Sequence, residues 1–234
     1  AWFLLVENTL TALQQLATLH RAQFDVPVIG ITGSNGKTIV KEWLHQLLNS
    51  EYNIVRSPKS YNSQIGVALS VWELQAQHNL AIFEAGISQS GEMDALERMI
   101  KPSIGIFTNI GETHNEGFLN TRHKINEKLL LFKNVSTLIY CKDYHELHDC
   151  IMQFANQLKN NTEKEIELIS WSKKSIANLS VTSILKSGNQ SVLEAMYEGE
   201  KIAIQIPFSD DAYIEDAIHC WLVLLHLKLS HEQI

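Results

Sequence analysis

Three things are scarce in this sequence of 234 residues, and each scarcity excludes a class of protein. Basic residues are few: 19 Lys and Arg stand against 26 Asp and Glu, a net charge of -7, and no run of Lys and Arg could track a phosphate backbone. No nucleic acid partner is expected. Cysteine is represented only by Cys141, Cys150 and Cys220, odd in number and outside any CxxC spacing. That pattern is unlike a secreted disulfide framework and fits a reducing compartment, so a cytoplasmic location is expected. Long apolar runs are absent as well. The early stretch at residues 1–6 is too short to span a bilayer and lacks the basic start of a signal peptide, so no membrane insertion is expected.

What is present is a hydrophobic content of 45%, enough to bury a sizeable core in one large domain or two small ones. The chain opens without Met and stops at His231-Glu232-Gln233-Ile234 directly after an apolar helical stretch. It reads as a piece of a longer protein.

Residues 8–20 place Leu10, Leu13, Leu16, Ala17 and Leu19 on one helix face, with Asn8 or Thr9 positioned to cap it. Short β-rich runs then alternate with helical patterns, at residues 26–32, 53–56, 80–85, 104–109 and 138–141. The alternation predicts βαβ units and a mostly parallel sheet flanked by helices. After Trp171 the pattern changes: candidate strands at 179–185, 192–197 and 201–206 are separated by Ser-Gly-Asn and Glu-Gly-Glu turns. These read as an antiparallel β extension near the C-terminus, covered by a final helix at about 213–229.

The segment VIGITGSNGKT, residues 28–38, is a β-run, a glycine-rich turn and the start of a helix with Ile39, Val40, Trp43, Leu44, Leu47 and Leu48 on its apolar face. This is the setting of a P-loop. Backbone N–H groups turn inward around phosphate oxygens, the helix offers its positive N-terminus, Lys37 reaches the β- and γ-phosphates, and Thr38 can hold Mg2+. The strict pattern wants Gly at position 31, where this chain has Ile; Gly30 is one residue early, and Gly33 must carry the turn.

Glu84 ends one apolar run and His114 follows another, so both should lie beyond strand C-termini on the P-loop edge of the sheet. There a carboxylate can complete a Mg2+ shell with Thr38, and a neutral His can hold a second ion. The loop YNSQIG at 61–66 opens a helix, and Asn62 and Ser63 suit substrate contact and plain capping equally. Spacing alone makes Lys128 a solvent-facing lysine near Glu127 and Lys124. A zinc site at His145-Glu146-Leu147-His148 is disfavoured, because the two histidines are three apart where HExxH needs four.

Taken in order, TGSNGKT, YNSQIG, EAGISQSGEM and TNIGETHNEGF resemble the central ATPase domain of the Mur ligases of peptidoglycan synthesis, most of all those that add D-alanyl-D-alanine. The resemblance is strong over residues 26–132. It implies that Gly33, Ser34, Asn35, Gly36, Lys37, Thr38, Asn109 and Asp216 contact ATP, and that Asn62 and Ser63 contact substrate. It further implies that Thr38 and Glu84 hold Mg2+, that His114 serves a second Mg2+, and that Lys37, Glu84, His114 and Lys128 carry the chemistry. Lys128 matches the lysine that some members carbamylate to make another metal-binding carboxylate. Departures from the family pattern are Ala68 where Pro is usual, Tyr140-Cys141-Lys142-Asp143-Tyr144 where Asn-x-Asp-Asp is common, and Tyr213 and Asp216 where Asn is usual.

On this resemblance residues 1–24 are a lead-in helix from an N-terminal substrate domain, residues 25–234 are the ATP-binding domain, and a C-terminal domain is missing. The implied partners are UDP-MurNAc-peptide, D-alanyl-D-alanine and the chain's own absent domains, with ATP and Mg2+ as cofactors. The implied reaction is amide ligation through an acyl phosphate, which the isolated piece should not perform. The alternatives are another Mur-type or folylpolyglutamate-like ligase, or a non-catalytic ATP-binding regulatory module.

Overall fold

The computed structural model describes residues 5–111 and 117–229. Its first element is helix α1, Thr9–Arg21, whose N-cap Asn8 accepts a hydrogen bond from the Thr11 amide at 2.9 Å. Five strands follow, alternating with helices: β1 Val28–Thr32, β2 Ile54–Arg56, β3 Leu80–Glu84, β4 Ile104–Phe107 and β5 Thr137–Cys141. The intervening helices are α2 Lys37–Leu48, α3 Gln64–Trp72, α4 Met93–Ile100 and α5 Thr121–Leu129, the last followed by a 3-10 turn at Leu130–Phe132. Helix α6, His145–Thr162, leads to strand β6, Glu167–Ser172, and then to β7 Leu179–Ser187, β8 Gln190–Tyr197, β9 Glu200–Ile206 and helix α7 Asp211–His226.

Among the described residues the strands form one nine-stranded sheet in the order β2-β3-β1-β4-β5-β6-β7-β8-β9. Pairing is parallel from β2 through β7 and antiparallel from β7 to β9. The central strands are buried on both faces, which is why they read as continuous apolar runs. Alternate side chains feed two cores. Ile29, Ile31, Ile82, Ile106 and Ile139 face α2 and α7, while Val28, Phe83, Phe107, Leu138 and Tyr140 face the layer made by α3, α4, α5 and α6.

Two expectations change at this level. Strand β6 was not anticipated, because its apolar residues Leu168, Ile169 and Trp171 are interrupted by serine and bounded by charge. It joins β5 to β7, and through it the expected antiparallel extension of β7, β8 and β9 continues the main sheet. The last helix, for its part, packs chiefly on α2 and over β5 and β6, while sharing one apolar cluster with Leu193, Ala195, Ile202 and Ile206 of the hairpins. No helix among the described residues is long and apolar enough to cross a membrane.

Candidate functional site

Between β3 and β4 the sheet reverses its direction of growth: β1 is followed on one side by β3 and on the other by β4. Helices leave such a point on opposite faces, and a crevice opens beyond the strand C-termini. The loop after β1 lies in that crevice. Gly33 has φ 145° and Gly36 has φ 81°, both in the region that favours glycine. A Cβ on Gly33 would fall 2.0 Å from Thr108 Oγ1, and one on Gly36 would fall 2.1 Å from Asp216 Oδ1. Gly30, by contrast, is a packing glycine: its Cβ would meet Pro102 at 2.8 Å.

The loop is held from the β4 side. The Ser34 amide donates to the Asn109 carbonyl at 2.9 Å, the Asn35 amide to Asn109 Oδ1 at 3.0 Å, and Thr108 Oγ1 to the Asn35 carbonyl at 2.5 Å. The Lys37 ammonium donates to the Gly33 and Ser34 carbonyls at 2.9 and 3.2 Å. Burial lowers the pKa of Lys37; Glu84 opposes that shift and Lys124 adds to it.

Glu84 closes β3 and is fully buried. Its Oε2 accepts from Thr38 Oγ1 at 2.9 Å and lies 3.5 Å from Asn62 Nδ2, while its Oε1 is 3.2 Å from the Lys41 ammonium. Ser63 is the N-cap of α3, its Oγ accepting from the Gly66 amide at 3.3 Å. Ser63 also lines, with Gly33, Ser34, Lys37, Asn62 and Lys128, a cleft of about 400 Å³ in front of the loop.

Lys128 corrects the reading from spacing. It is not solvent-facing but 3% exposed, and its ammonium donates to the Gly33 carbonyl at 3.3 Å. Burial, with Lys37 and Lys124 nearby, pushes its pKa down to about 7. One helical turn earlier, Lys124 donates to the Gly111 carbonyl at 2.8 Å. Asp216, on α7, stands against Gly36 with its pKa raised to about 7 by burial and by Glu215. His114 lies outside the described residues. His148, of the disfavoured zinc motif, has Nδ1 2.9 Å from the Tyr140 hydroxyl. Among the described residues no three His, Cys, Asp or Glu side chains are grouped to hold a metal ion.

Sequence reasoning missed Lys41, Thr108, Lys124 and His219. Lys41 carried a signal: it shares the helical stripe of Leu44 and Leu48, where a charged residue is out of place unless paired. His219 carried none that one sequence can show. It accepts from Trp171 Nε1 at its Nδ1, 3.2 Å away, and its Nε2 donates to the Thr108 carbonyl at 2.8 Å, which ties α7 to the strand end that supports the loop. Burial lowers its pKa to about 4, so the ring is neutral.

Comparison with known proteins decides the family. The model of the Mur ligase middle domain matches residues 31–223. The chain belongs to the Mur ligase family. Among curated relatives of this Mur ligase chain, the UDP-N-acetylmuramoyl-tripeptide--D-alanyl-D-alanine ligase of Bacillus subtilis (strain 168) is 39% identical over 144 residues, covering 60% of the chain and 31% of the relative. Two solved structures share the Mur ligase fold. The crystal structure of MurF from Acinetobacter baumannii has a TM-score of 0.84 at 22% identity, covering 98% of this chain and 49% of that one. MurF ligase from Thermotoga maritima in complex with ADP has a TM-score of 0.80 at 19% identity, covering 97% and 51%. The chain spans about half or less of the length of the curated relatives it matches.

Proposed function

We propose that this chain is the nucleotide-binding part of an ATP-dependent carboxylate–amine ligase that adds D-alanyl-D-alanine to UDP-MurNAc-tripeptide in the cytoplasm. The observation that carries the reading is the convergence of Lys37, Asn62 and Lys128 on one cleft at the switch point of a parallel sheet, with the Thr38–Glu84 pair directly behind Asn62, in a Mur ligase middle domain. The names of the curated relatives support the substrate pair, and the ADP complex of a structural neighbour supports the nucleotide.

The residues present fit ATP and Mg2+. The glycine cradle at Gly33 and Gly36 leaves no room for side chains, and the amides of residues 34–38 lead into the N-terminus of α2. Thr38 Oγ1 and Glu84 Oε2 are hard oxygen donors 2.9 Å apart, and Mg2+ is characteristically held by one or two protein oxygens together with phosphates. Mg2+ bound there would neutralise charge on the phosphate oxygens. In the proposed reaction a carboxylate oxygen of the tripeptide attacks the γ-phosphorus and ADP leaves. The amine of D-alanyl-D-alanine then attacks the acyl phosphate, forming the amide and releasing phosphate. Lys37 stabilises the phosphoryl group in transfer, and Asn62 and Ser63 contact the carboxylate substrate. Ser34, Asn35, Gly36, Asn109 and Asp216 shape the nucleotide pocket. Lys128, whose pKa is lowered to about 7 by burial beside Lys37 and Lys124, would offer a neutral amine to carbon dioxide more readily than an exposed lysine, and if carbamylated would supply a further metal-binding oxygen; His114 would serve a second Mg2+.

The test is ADP release by the full-length natural protein given UDP-MurNAc-tripeptide, with and without D-alanyl-D-alanine. Release that needs both substrates, and falls at least about 100-fold in Lys37→Ala, is expected. Mg·ATP binding without release under any substrate combination would reject the ligase and favour a regulatory module.

A further inference from the structure

A second lysine of α2, Lys41, lies behind the site with its side chain fully buried. Its ammonium donates to three different parts of the chain: the Ser57 carbonyl at 2.7 Å, the Lys59 carbonyl, and Glu84 Oε1 at 3.2 Å; Glu42 Oε1 is a further neighbour at 3.1 Å. An ammonium has three protons and no acceptor, so it can gather carbonyls and carboxylates from separate strands, which no apolar or amide side chain of that length could do.

The segment it gathers is the one that carries Asn62 into the cleft. Ser57 is fully buried; its amide donates to the Ile82 carbonyl at 3.2 Å, and its Oγ accepts from the Glu84 amide at 3.3 Å. Lys59 adopts φ 49°, a left-handed conformation unfavourable for a residue with a Cβ, and its carbonyl is one of those Lys41 holds. Three residues on, the Asn62 carbonyl accepts from the Gly86 amide at 2.8 Å. Glu84 is divided by the same arrangement: Oε1 faces Lys41, and Oε2 alone faces Thr38 and Asn62.

We propose that Lys41 is a positioning residue that fastens residues 57–62 and the Glu84 carboxylate to the phosphate-loop helix, so that Glu84 presents a single oxygen to the site and Asn62 is held at the cleft. The metal-facing half of this inference rests on the reading of Glu84 and Thr38 given above; the loop-fastening half does not.

The experiment uses the full-length natural protein, free of nucleotide and metal, and compares amide hydrogen exchange of wild type, Lys41→Met and Lys41→Met/Glu84→Gln. The double variant removes both buried charges and guards against misfolding of the single one. Exchange at residues 57–62 is expected to quicken at least about tenfold in both variants, while β1, β4 and β5 keep wild-type protection. In parallel, ADP affinity is measured with and without Mg2+; the factor by which Mg2+ tightens binding should shrink in Lys41→Met, with metal-free affinity preserved.

Wild-type exchange at 57–62 in the double variant would overturn the proposal. So would exchange that rises equally across β1, β4 and β5, which would make Lys41 a general prop of the core. A wild-type protein that binds no Mg·ADP would defeat the functional reading instead, while leaving the exchange result to decide the fastening of the loop.

Discussion

Gly36 shows how narrow the tolerance is at a single residue of this site. Its φ of 81° costs a residue with a Cβ about 1–2 kcal/mol, and the added carbon would collide with Asp216. Gly36→Ala should therefore lower stability by at least that amount and weaken nucleotide binding more than tenfold, as thermal melts and ADP titration would show. Asp216 itself gives a pH prediction. Its pKa rises from 3.8 to about 7, because burial and the neighbouring Glu215 disfavour the charge. Between those two values the folded protein keeps a proton that the unfolded chain has released, so Asp216 costs stability as pH rises through the window, fully so above pH 7. Asp216→Asn should match wild type near pH 4 and exceed it at pH 8 by on the order of a few kcal/mol, measured by denaturant unfolding at both pH values. Much of this residue-level detail was legible in the sequence: Gly33, Lys37, Thr38 and Glu84 follow from residue type, spacing and position at strand ends. For Lys128 spacing pointed to solvent, and the structure buries it instead. Its burial depends on α5 lying against the Gly33 carbonyl, a long-range contact that helical spacing does not encode.

At the scale of elements, the phosphate loop is supported from a distance by α7. The chain of hydrogen bonds from Trp171 on β6, through His219, to the Thr108 carbonyl, and from Thr108 Oγ1 to Asn35, links three elements to the loop. Replacing His219 by Ala would leave the Trp171 N–H and the Thr108 carbonyl buried without these partners, at about 1–3 kcal/mol each. A loss of about 3 kcal/mol is expected, together with faster amide exchange at residues 33–36, whereas a support confined to the core would leave that exchange unchanged. The elements themselves divide by how sequence encodes them. The βαβ alternation and the Asn8 cap were readable, because strand period, helix period and capping are local. Strand β6 was not readable, because Leu168, Ile169 and Trp171 become a strand only by pairing with β5 and β7 on either side.

Across the whole molecule, one sheet carries both the phosphate loop and the antiparallel arm, with α7 packed against α2 and across β5 and β6. This continuity makes the nucleotide cleft a property of the entire fold, and it places the candidate ligands on rigid strand ends and helix starts.

The most direct test of this account is calorimetric titration of ADP into the full-length natural protein, with and without Mg2+, for wild type, Lys37→Ala and Glu84→Gln. Mg2+ is expected to tighten binding to wild type, Lys37→Ala to weaken binding at least about 100-fold in either condition, and Glu84→Gln to keep metal-free binding but lose most of the tightening by Mg2+. Undiminished tightening in Glu84→Gln, with unchanged affinity in Lys37→Ala, would contradict it.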